Sequence, residues 1–275
     1  MGRTLRILIT NDDGIGAPAL PVLATRLARA GHDVQVAAPR EGHSGCGASI
    51  GNVSSGHRVR VERVTLPGAE EIPAFSVDGP PAFIVLAAVQ GIFGERPDVV
   101  VSGPNSGLNL GPLVLHSGTL GAAVTAASNG LPGIALSTEK RPRFGYETAA
   151  EFCARHLPDL LAAMGDATAL NINVPDLPLD RIVGVRQTRL APRSLVAIVL
   201  LDDEAQASAG ERRMRIELDH DHDRLRHRQW RAERGEPDDS DAGAIVDGCI
   251  SVTLVHGGLS QVADRPLIAA WQTPR

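Results

Sequence analysis

An apolar segment that ends in two adjacent acidic residues constrains the fold of this chain more than any other feature. The largely apolar residues from Leu5 to Ile9 are followed closely by Asp12, Asp13 and Gly14. A short apolar run of this kind is typical of a parallel strand that is buried on both faces. Open α/β sheets form their ligand sites at the carboxyl ends of such strands, where this acidic pair lies. Neighbouring carboxylates repel each other and lose hydration there, and a hard divalent cation offsets both costs. An ordinary turn is the alternative interpretation, since Asn, Asp and Gly all favour turns.

Strand and helix patterns alternate along the first part of the chain. Further strands are predicted at Val34–Ala38, Val99–Val101, Ile134–Leu136 and Leu170–Val174, and helices are predicted from Pro18 and over Phe83–Phe93, Thr119–Ser128 and Glu147–Met164. This alternation predicts an α/β fold with a three-layer, Rossmann-like and mostly parallel sheet.

The later part of the chain is less regular. Strands are predicted at Val183–Arg189, Ser194–Leu201 and Ile250–Val255, a hairpin strand at Arg212–Leu218, an exposed charged stretch from Asp219 to Asp241 and a short terminal helix at Leu267–Trp271. We therefore expect one domain over residues 1–275, with a core over about 1–190 and a C-terminal extension over about 191–275. The extension is expected to form an irregular β-hairpin and a tail that is used in oligomerisation.

Composition excludes several classes of protein. A net charge of −5 and 3% aromatic residues argue against a nucleic-acid or membrane-surface binder. Lys140, the only lysine, lies between Glu139 and Arg141, so the chain has no P-loop. No GxGxxG motif follows the first strand, which disfavours a dehydrogenase, and no Asp-x-Asp nucleophile of the haloacid-dehalogenase type is present there. Without a leader, a long apolar span or a CxxC pair, a cytoplasmic location is expected.

Two further polar loops follow predicted strands. The first loop covers residues 40–45, and its candidate metal ligand is the Ser44 hydroxyl. The second loop covers residues 102–111, and its candidate metal ligand is the amide oxygen of Asn105. Neutral oxygens of this kind suit a hard cation that already holds two carboxylates. Taken alone, each loop also fits ordinary Gly and Ser turn chemistry.

The segment from His116 to Thr119 opens a helix of small residues. Free N–H groups and the positive end of the helix dipole favour an anion there, although a plain N-cap by Ser or Thr is the commoner case. Carboxylates, neutral oxygens and an anion site at one sheet edge together favour metal-assisted hydrolysis of a phosphate ester. In that reaction the metal polarises the phosphoryl group and lowers the pKa of the attacking water.

These segments resemble the SurE family over nearly the whole chain. The matching residues are Thr10–Gly14, Ala38–Arg40 with Ser44 and Gly45, Ser102–Asn109, Ser117–Thr119, Asn171–Pro175, and Asp241 with Ser251–Thr253. The resemblance implies a metal-dependent phosphatase acting on nucleoside 5′- and 3′-monophosphates, of the 5′-nucleotidase or acid phosphatase class. It also implies dimers or tetramers built through the C-terminal extension, with no nucleic-acid polymer or membrane as partner.

The resemblance also assigns roles to individual residues. It implies one Mg²⁺ or Mn²⁺ per subunit, held by Asp12, Asp13, Ser44 and Asn105. Of these, Asp12, Asp13 and Asn105 are expected to be catalytic. Phosphate is expected to contact Asn11, Asn109, Ser117, Gly118 and Thr119.

The chain departs from the family pattern near the predicted phosphate loop. Phe83, Leu113 and His116 stand where the family usually has Asp, Asp and Tyr, and Pro104 replaces an Ile. Two alternatives follow: a phosphatase for a different, specialised phosphate ester, and a degenerate nucleotide-binding protein that is not an enzyme. His43 and His116 are candidate proton donors or acceptors, although a histidine more often has only a structural role or is simply solvated. The His220–His222 stretch is predicted to be an exposed loop rather than a metal cage.

Overall fold

A nine-stranded mixed sheet organises the chain. The structure, a computed structural model, describes residues 3–54, 56, 58–192, 196–204, 213–220 and 239–257. The strands are β1 (Arg6–Thr10), β2 (Asp33–Pro39), β3 (Val61–Val64), β4 (Ala74–Val77), β5 (Val99–Ser106), β6 (Gly133–Thr138), β7 (Thr168–Val174), β8 (Gly184–Gln187), β9 (Val196–Glu204), β10 (Arg213–His220) and β11 (Cys249–His256). The helices are α1 (Ala19–Arg29), α2 (Pro81–Val89), α3 (Gly118–Ser128), α4 (Gly145–Ala162) and α5 (Asp241–Val246), with 3₁₀ turns at Gly111–His116 and Leu179–Arg181.

The sheet is parallel in its centre and mixed at both edges. Its strand order is β3-β4-β2-β1-β5-β6-β7-β11-β8. Every pair from β4 to β7 is parallel, while β3 runs antiparallel to β4 and β11 runs antiparallel to β7. The carboxyl ends of the central strands therefore meet at one edge of the sheet, as ligand sites in such folds require.

Helices cover both faces of the sheet. On one face, α1 and α4 pack against Ile7, Ile9 and Val101. On the other face, residues of α2 and α3 pack against Leu8 and Val100. Because β1 and β5 contribute apolar side chains to both clusters, the continuous apolar runs seen in the sequence are explained by burial on two sides.

The predicted α/β fold with a mostly parallel three-layer sheet is confirmed. The hairpin is also confirmed, since β9 and β10 pair antiparallel with an irregularity between Arg215 and Ile216. The predicted terminal helix at Leu267–Trp271 and most of the charged stretch from Asp219 to Asp241 lie outside the described residues. Use of the extension in oligomerisation stays a prediction.

Two strands and one helix were not predicted from the sequence. β3 and β4 are short, and β3 alternates exposed and half-buried residues at the sheet edge, so neither shows a strong apolar signal. The short helix α5 begins at Asp241, the last residue of the stretch that was predicted to be exposed, and five of its six residues, including Asp241, are buried.

β5 extends further than the predicted strand at Val99–Val101. It continues to Ser106 through a register irregularity between Ser102 and Asn105 and a cis peptide bond between Gly103 and Pro104. Gly103 has φ +108°, and a Cβ there would lie 2.2 Å from the Leu136 carbonyl oxygen, so only glycine fits. As a result, Asn105 lies beside Ser137, beyond the part of β5 that pairs with β1.

A buried carboxylate connects three distant segments of the chain. Asp241 is fully buried and accepts hydrogen bonds from the backbone N–H groups of Gly111 (2.9 Å), Ala191 (2.8 Å) and Ala242 (2.8 Å). Charge-assisted bonds of this kind are stronger than neutral ones. Asp241 therefore holds the start of the 3₁₀ turn at Gly111 against α5.

No helix within the described ranges has both the length and the apolar character needed to span a bilayer.

Replacement of Asp241 by Ala is expected to lower the free energy of unfolding by about 3 kcal/mol, because several buried N–H groups lose their acceptor. Urea denaturation measures the change. Asp239→Ala is the matched control, because Asp239 is exposed and its ion pair with Arg189 (3.2 Å) is exposed on both sides. The control is expected to change stability by less than about 0.5 kcal/mol. Equal effects of the two replacements would contradict the role given to Asp241.

Candidate metal and phosphate site

The Asp12 carboxylate lies against the first turn of α3. Its Oδ1 accepts a hydrogen bond from the Thr119 hydroxyl (2.5 Å), and its Oδ2 accepts one from the Gly118 N–H (3.2 Å). Asp12 is almost completely buried, with 4% of the residue's surface exposed. The predicted helix start is confirmed: Ser117 is the N-cap, and its hydroxyl accepts from the Leu120 N–H (3.1 Å). The first turn of α3 thus stabilises the negative charge of a protein side chain.

Asp13 is oriented toward the end of β5 instead. Its Oδ2 accepts a hydrogen bond from the Ser106 N–H (3.2 Å), and the residue remains partly exposed. The two adjacent carboxylates are therefore anchored to opposite neighbours, Asp12 to α3 and Asp13 to β5. Their free lone pairs are left available at the carboxyl edge of the sheet.

The pKa values of both carboxyl groups are raised. Burial is the largest cause in each case, and the nearby charge of Asp13 adds to the effect on Asp12. The hydrogen bonds from Thr119 to Asp12 and from Ser106 to Asp13 act in the opposite direction. Two adjacent carboxylates that resist ionisation fit a divalent cation, because its charge offsets both the desolvation and the repulsion.

The Asn105 side chain is positioned to supply a neutral oxygen. Its Nδ2 donates a hydrogen bond to the Gly107 carbonyl oxygen (2.7 Å), which leaves Oδ1 as the atom that can face a ligand. Asn105 and Ser106 are consecutive at the end of β5, so the amide lies next to the residue that binds Asp13. This chemistry suits a hard cation.

The loop that carries Ser44 lies against the acidic pair. The His43 N–H donates to the Asp12 carbonyl oxygen (2.7 Å), and a Cβ on Gly42 would lie 3.8 Å from the carbonyl oxygens of Asp12 and Asp13. Ser44 itself is exposed, so its hydroxyl is accessible to a ligand. The structure thus brings together the strand ends that carry the four predicted metal ligands. The ligand roles themselves stay predictions.

The predicted phosphate-binding residues differ in what their side chains already contact. Asn11 is buried, and its amide makes both of its hydrogen bonds to the Gly14 backbone, at 3.0 and 3.2 Å. Thr119 and Gly118 donate to Asp12, as described above. These contacts build the turn and anchor Asp12, so phosphate binding by these residues stays a prediction.

Asn109 belongs to a buried network of amides. Its Nδ2 donates to the Ser137 hydroxyl (2.7 Å), and its N–H donates to Asn173 Oδ1 (2.8 Å). Its carbonyl oxygen accepts from Asn171 Nδ2 (2.9 Å) and Asn173 Nδ2 (3.0 Å). Asn171 and Asn173 were not predicted as site residues. The sequence does carry a signal for these two residues, because their amides alternate with apolar residues in the otherwise largely apolar strand β7.

Tyr146 was also not predicted as a site residue. It lies in the first turn of α4, close enough to Ser106 for that side chain to lower the pKa of the tyrosine. Burial raises the pKa of Tyr146, and the charge of Asp13 raises it further. Tyr146 therefore lies on the Asp13 side of the site.

The remaining candidates occupy the margins of the site. His43 is half-buried, whereas His116 is exposed and accepts a hydrogen bond from the Gly47 N–H through its carbonyl oxygen (3.1 Å). Phe83 and Leu113 are partly buried. Within the described ranges, no group of three or more His, Cys, Asp or Glu side chains is placed to hold a metal ion. Of the His220–His222 stretch, only the backbone of His220 lies within those ranges.

Comparisons with known proteins agree with this architecture. The family model described as "Survival protein SurE" matches residues 7–197. The chain belongs to the SurE family. It is similar to a protein of Gloeobacter violaceus named 5′-nucleotidase SurE, with 37% identity over 273 residues, 98% of this chain and 96% of that protein. A protein of the same name from Desulfitobacterium hafniense is 34% identical over 262 residues, 93% of this chain and 92% of its own.

A solved structure supports the same assignment. The crystal structure of the SurE protein from Aquifex aeolicus aligns with a TM-score of 0.72 and 27% identity. The alignment covers 93% of this chain and 95% of that one. The resemblance inferred from the sequence motifs is therefore confirmed.

Replacement of Gly118 by Ala is expected to weaken Mn²⁺ binding at least about tenfold, in the range typical of residues that support a metal ligand. A Cβ at this position would lie 2.7 Å from the Cβ of Asp12 and 2.7 Å from the Cys46 sulfur, so Asp12 must shift. Titration calorimetry measures the affinity. Gly16→Ala is the matched control, because nothing lies within 4 Å of a Cβ there. Unchanged affinity in Gly118→Ala would contradict the role of Asp12.

Replacement of Asp13 by Asn is expected to stabilise the metal-free protein at pH 7, and by progressively less as the pH falls toward about 4. The raised pKa of Asp13 means that its ionisation costs folded-state stability above that pKa, whereas the carboxyl is neutral in both states at low pH. The replacement keeps an acceptor for the Ser106 N–H. Thermal unfolding in EDTA across this pH range measures the effect.

The exposed Asp33 supplies the control, because Asp33→Asn changes the net charge equally at the surface. A stability difference for Asp13→Asn that does not vary with pH would rule out the electrostatic explanation. Adding Mn²⁺ is expected to reverse the order, with the wild-type protein becoming the more stable form.

Proposed function

We propose that this protein is a divalent-metal-dependent phosphomonoesterase that hydrolyses nucleoside monophosphates, as a 5′-nucleotidase. The observation that carries the proposal is the acidic pair after β1, in which both carboxyl groups have raised pKa values and each is anchored to a different neighbour. Relatives named 5′-nucleotidase SurE, similar over nearly the full chain, support the hydrolase class and the nucleotide substrate.

Asp12, Asp13, Ser44 and Asn105 would hold one Mg²⁺ or Mn²⁺, the ions that prefer oxygen ligands. The ion would polarise a phosphoryl oxygen and lower the pKa of the water that attacks phosphorus. Thr119 and Gly118 orient the Asp12 carboxylate, and the Ser106 N–H orients that of Asp13. Preorganised carboxylates of this kind need no rearrangement during the reaction.

The start of α3 has a second role in this proposal. Its N-terminal dipole favours anions, and Ser117, Gly118 and Thr119 are all buried at that point. Phosphate oxygens that approach the ion would experience this field as well as the charge of the ion. The Asn109 network would hold the neighbouring loop in place through β6 and β7.

The test is release of inorganic phosphate from AMP in the presence of Mn²⁺ or Mg²⁺. EDTA is expected to abolish turnover, and Asp12→Asn is expected to lower kcat/KM more than about a hundredfold, beyond what loss of a supporting residue costs. Asp33→Asn is expected to match the wild type because Asp33 is exposed and lies at the opposite edge of the sheet. Turnover that survives both EDTA and Asp12→Asn would sink the metal-dependent proposal.

The same assay compares AMP with an aryl phosphate. A nucleotidase is expected to prefer AMP in kcat/KM, because only a nucleotide uses contacts beyond the phosphate. A preference for the aryl ester would favour a phosphatase with a different substrate.

A further inference from the structure

The Asp12 side of the site is closed to a bulky group. Asp12 is buried, and Gly118 is packed so closely that a single added carbon would overlap both Asp12 and Cys46. A Cβ on Gly121, in the next turn of α3, would lie 2.2 Å from the Gly47 carbonyl oxygen. The packing around Asp12 therefore leaves little room there for the alcohol half of an ester.

The Asp13 side is open. Asp13, Asn105, Ser106 and Tyr146 are all partly exposed, and Arg141 is exposed. These five residues form one surface, which we call the Tyr146 face. A phosphate ester bound at the acidic pair therefore has one direction in which its larger half can extend.

Ser106 connects the Tyr146 face to the acidic pair. Its N–H donates to Asp13 Oδ2 (3.2 Å), and its hydroxyl accepts from the Arg141 N–H (3.1 Å). Ser106 also lowers the pKa of Tyr146, so the two side chains are close neighbours. A tyrosine offers both a hydrogen-bonding group and an aromatic ring to a ligand. Tyr146 is the only tyrosine in a chain with 3% aromatic residues.

The backbone before Tyr146 is held rigidly. The Asp176 carboxylate accepts hydrogen bonds from three consecutive N–H groups, those of Arg143 (3.0 Å), Phe144 (2.7 Å) and Gly145 (2.9 Å). The Asp176 N–H in turn donates to Glu139 Oε1 (3.1 Å). A contact residue supported in this way loses little conformational freedom on binding.

Positive charge is concentrated on the segment that precedes Tyr146. Lys140, Arg141 and Arg143 are exposed, and none of them forms an ion pair with a described residue. The Arg141 N–H donates to the Ser106 hydroxyl (3.1 Å), so this basic segment lies at the rim of the Tyr146 face. In a protein of net charge −5, such a rim favours approach of an anionic ester from this side.

We propose that the Tyr146 face receives the nucleoside half of the substrate, with Tyr146 contacting it directly. This inference rests on the proposed nucleotidase function and adds a residue that determines which leaving groups are accepted. The phosphate then lies at the acidic pair, whose Asp12 carboxylate occupies the first turn of α3, and the nucleoside extends toward α4.

The uniqueness of Tyr146 allows a test on the unmodified protein. Tetranitromethane nitrates tyrosine, and nitrotyrosine formed in this chain reports only on residue 146. Adenosine and AMP are expected to slow nitration, whereas inorganic phosphate alone is expected to leave its rate within about twofold. Nitration that is equally fast with and without adenosine and AMP overturns the proposal, as does equal protection by phosphate.

Variants give a second, independent measurement. Tyr146→Leu is expected to weaken inhibition by adenosine about tenfold, the scale of a lost base–aromatic contact, and to leave inhibition by phosphate and the Mn²⁺ affinity within about twofold. Phe144→Ala is the matched control, because this neighbouring ring lies 4.9 Å from the Arg143 guanidinium and outside the Tyr146 face. Parallel loss of adenosine, phosphate and Mn²⁺ affinity would mean that Tyr146 is only structural.

The two proposals fail separately. If AMP is hydrolysed but neither adenosine nor AMP protects Tyr146, the nucleotidase function stands and this inference fails. If adenosine protects Tyr146 but no phosphomonoester is hydrolysed, the nucleoside contact stands and the proposed function fails.

Discussion

The arrangement of the site depends on the hydrogen bonds that hold Asp12 at the start of α3. The side chain of Asp12 accepts from Gly118 and Thr119, while its carbonyl oxygen accepts from His43. One residue therefore joins the end of β1, the first turn of α3 and the loop that carries Ser44. Because backbone and hydroxyl donors make these contacts, the lone pairs of Asp12 that are not used by α3 are oriented rather than free to rotate.

Stability and ligand affinity are opposed at this site. Burial raises the pKa of both carboxyl groups, and no described cation lowers the pKa of either one. Ionised Asp12 and Asp13 therefore destabilise the metal-free fold at neutral pH. A cation that neutralised both carboxylates would remove this cost, and the recovered free energy would strengthen its binding. Positive charge lies at the rim of the Tyr146 face, on the exposed residues Lys140, Arg141 and Arg143, but none of them forms an ion pair with Asp12 or Asp13.

Local signals in the sequence were sufficient to predict the parts of the site that a single segment defines. The apolar run before Asp12 predicted the end of a strand, and Ser117 predicted the start of a helix. Each prediction needed only neighbouring residues, and both are confirmed. The strands β3 and β4 were missed because each has only four residues, too few to show a clear alternating or apolar pattern. The continuation of β5 to Ser106 was missed because it passes through Gly103 and Pro104, which usually end a strand.

Residues whose role depends on distant partners were the hardest to identify. Asn173 binds the backbone of Asn109, and Tyr146 approaches Ser106, but the nearby sequence does not reveal the partner in either case. The predicted helix began at Glu147, one residue after Tyr146, so the prediction did not include the tyrosine in the helix. Only the assembled sheet, which places the ends of β5 and β7 beside the start of α4, brings these residues together.

The reversal of direction at β11 has a consequence for synthesis of the protein. Because β11 runs antiparallel to β7, the helix α5 that precedes it returns to the edge where the site lies, and Asp241 reaches Gly111 across 130 positions of sequence. When the first seven strands have left the ribosome, all four predicted metal ligands have been synthesised. Asp241, whose carboxylate binds the Gly111 N–H in the loop next to them, has not. The loop beside the acidic pair therefore gains its Asp241 anchor late, once the chain is nearly complete.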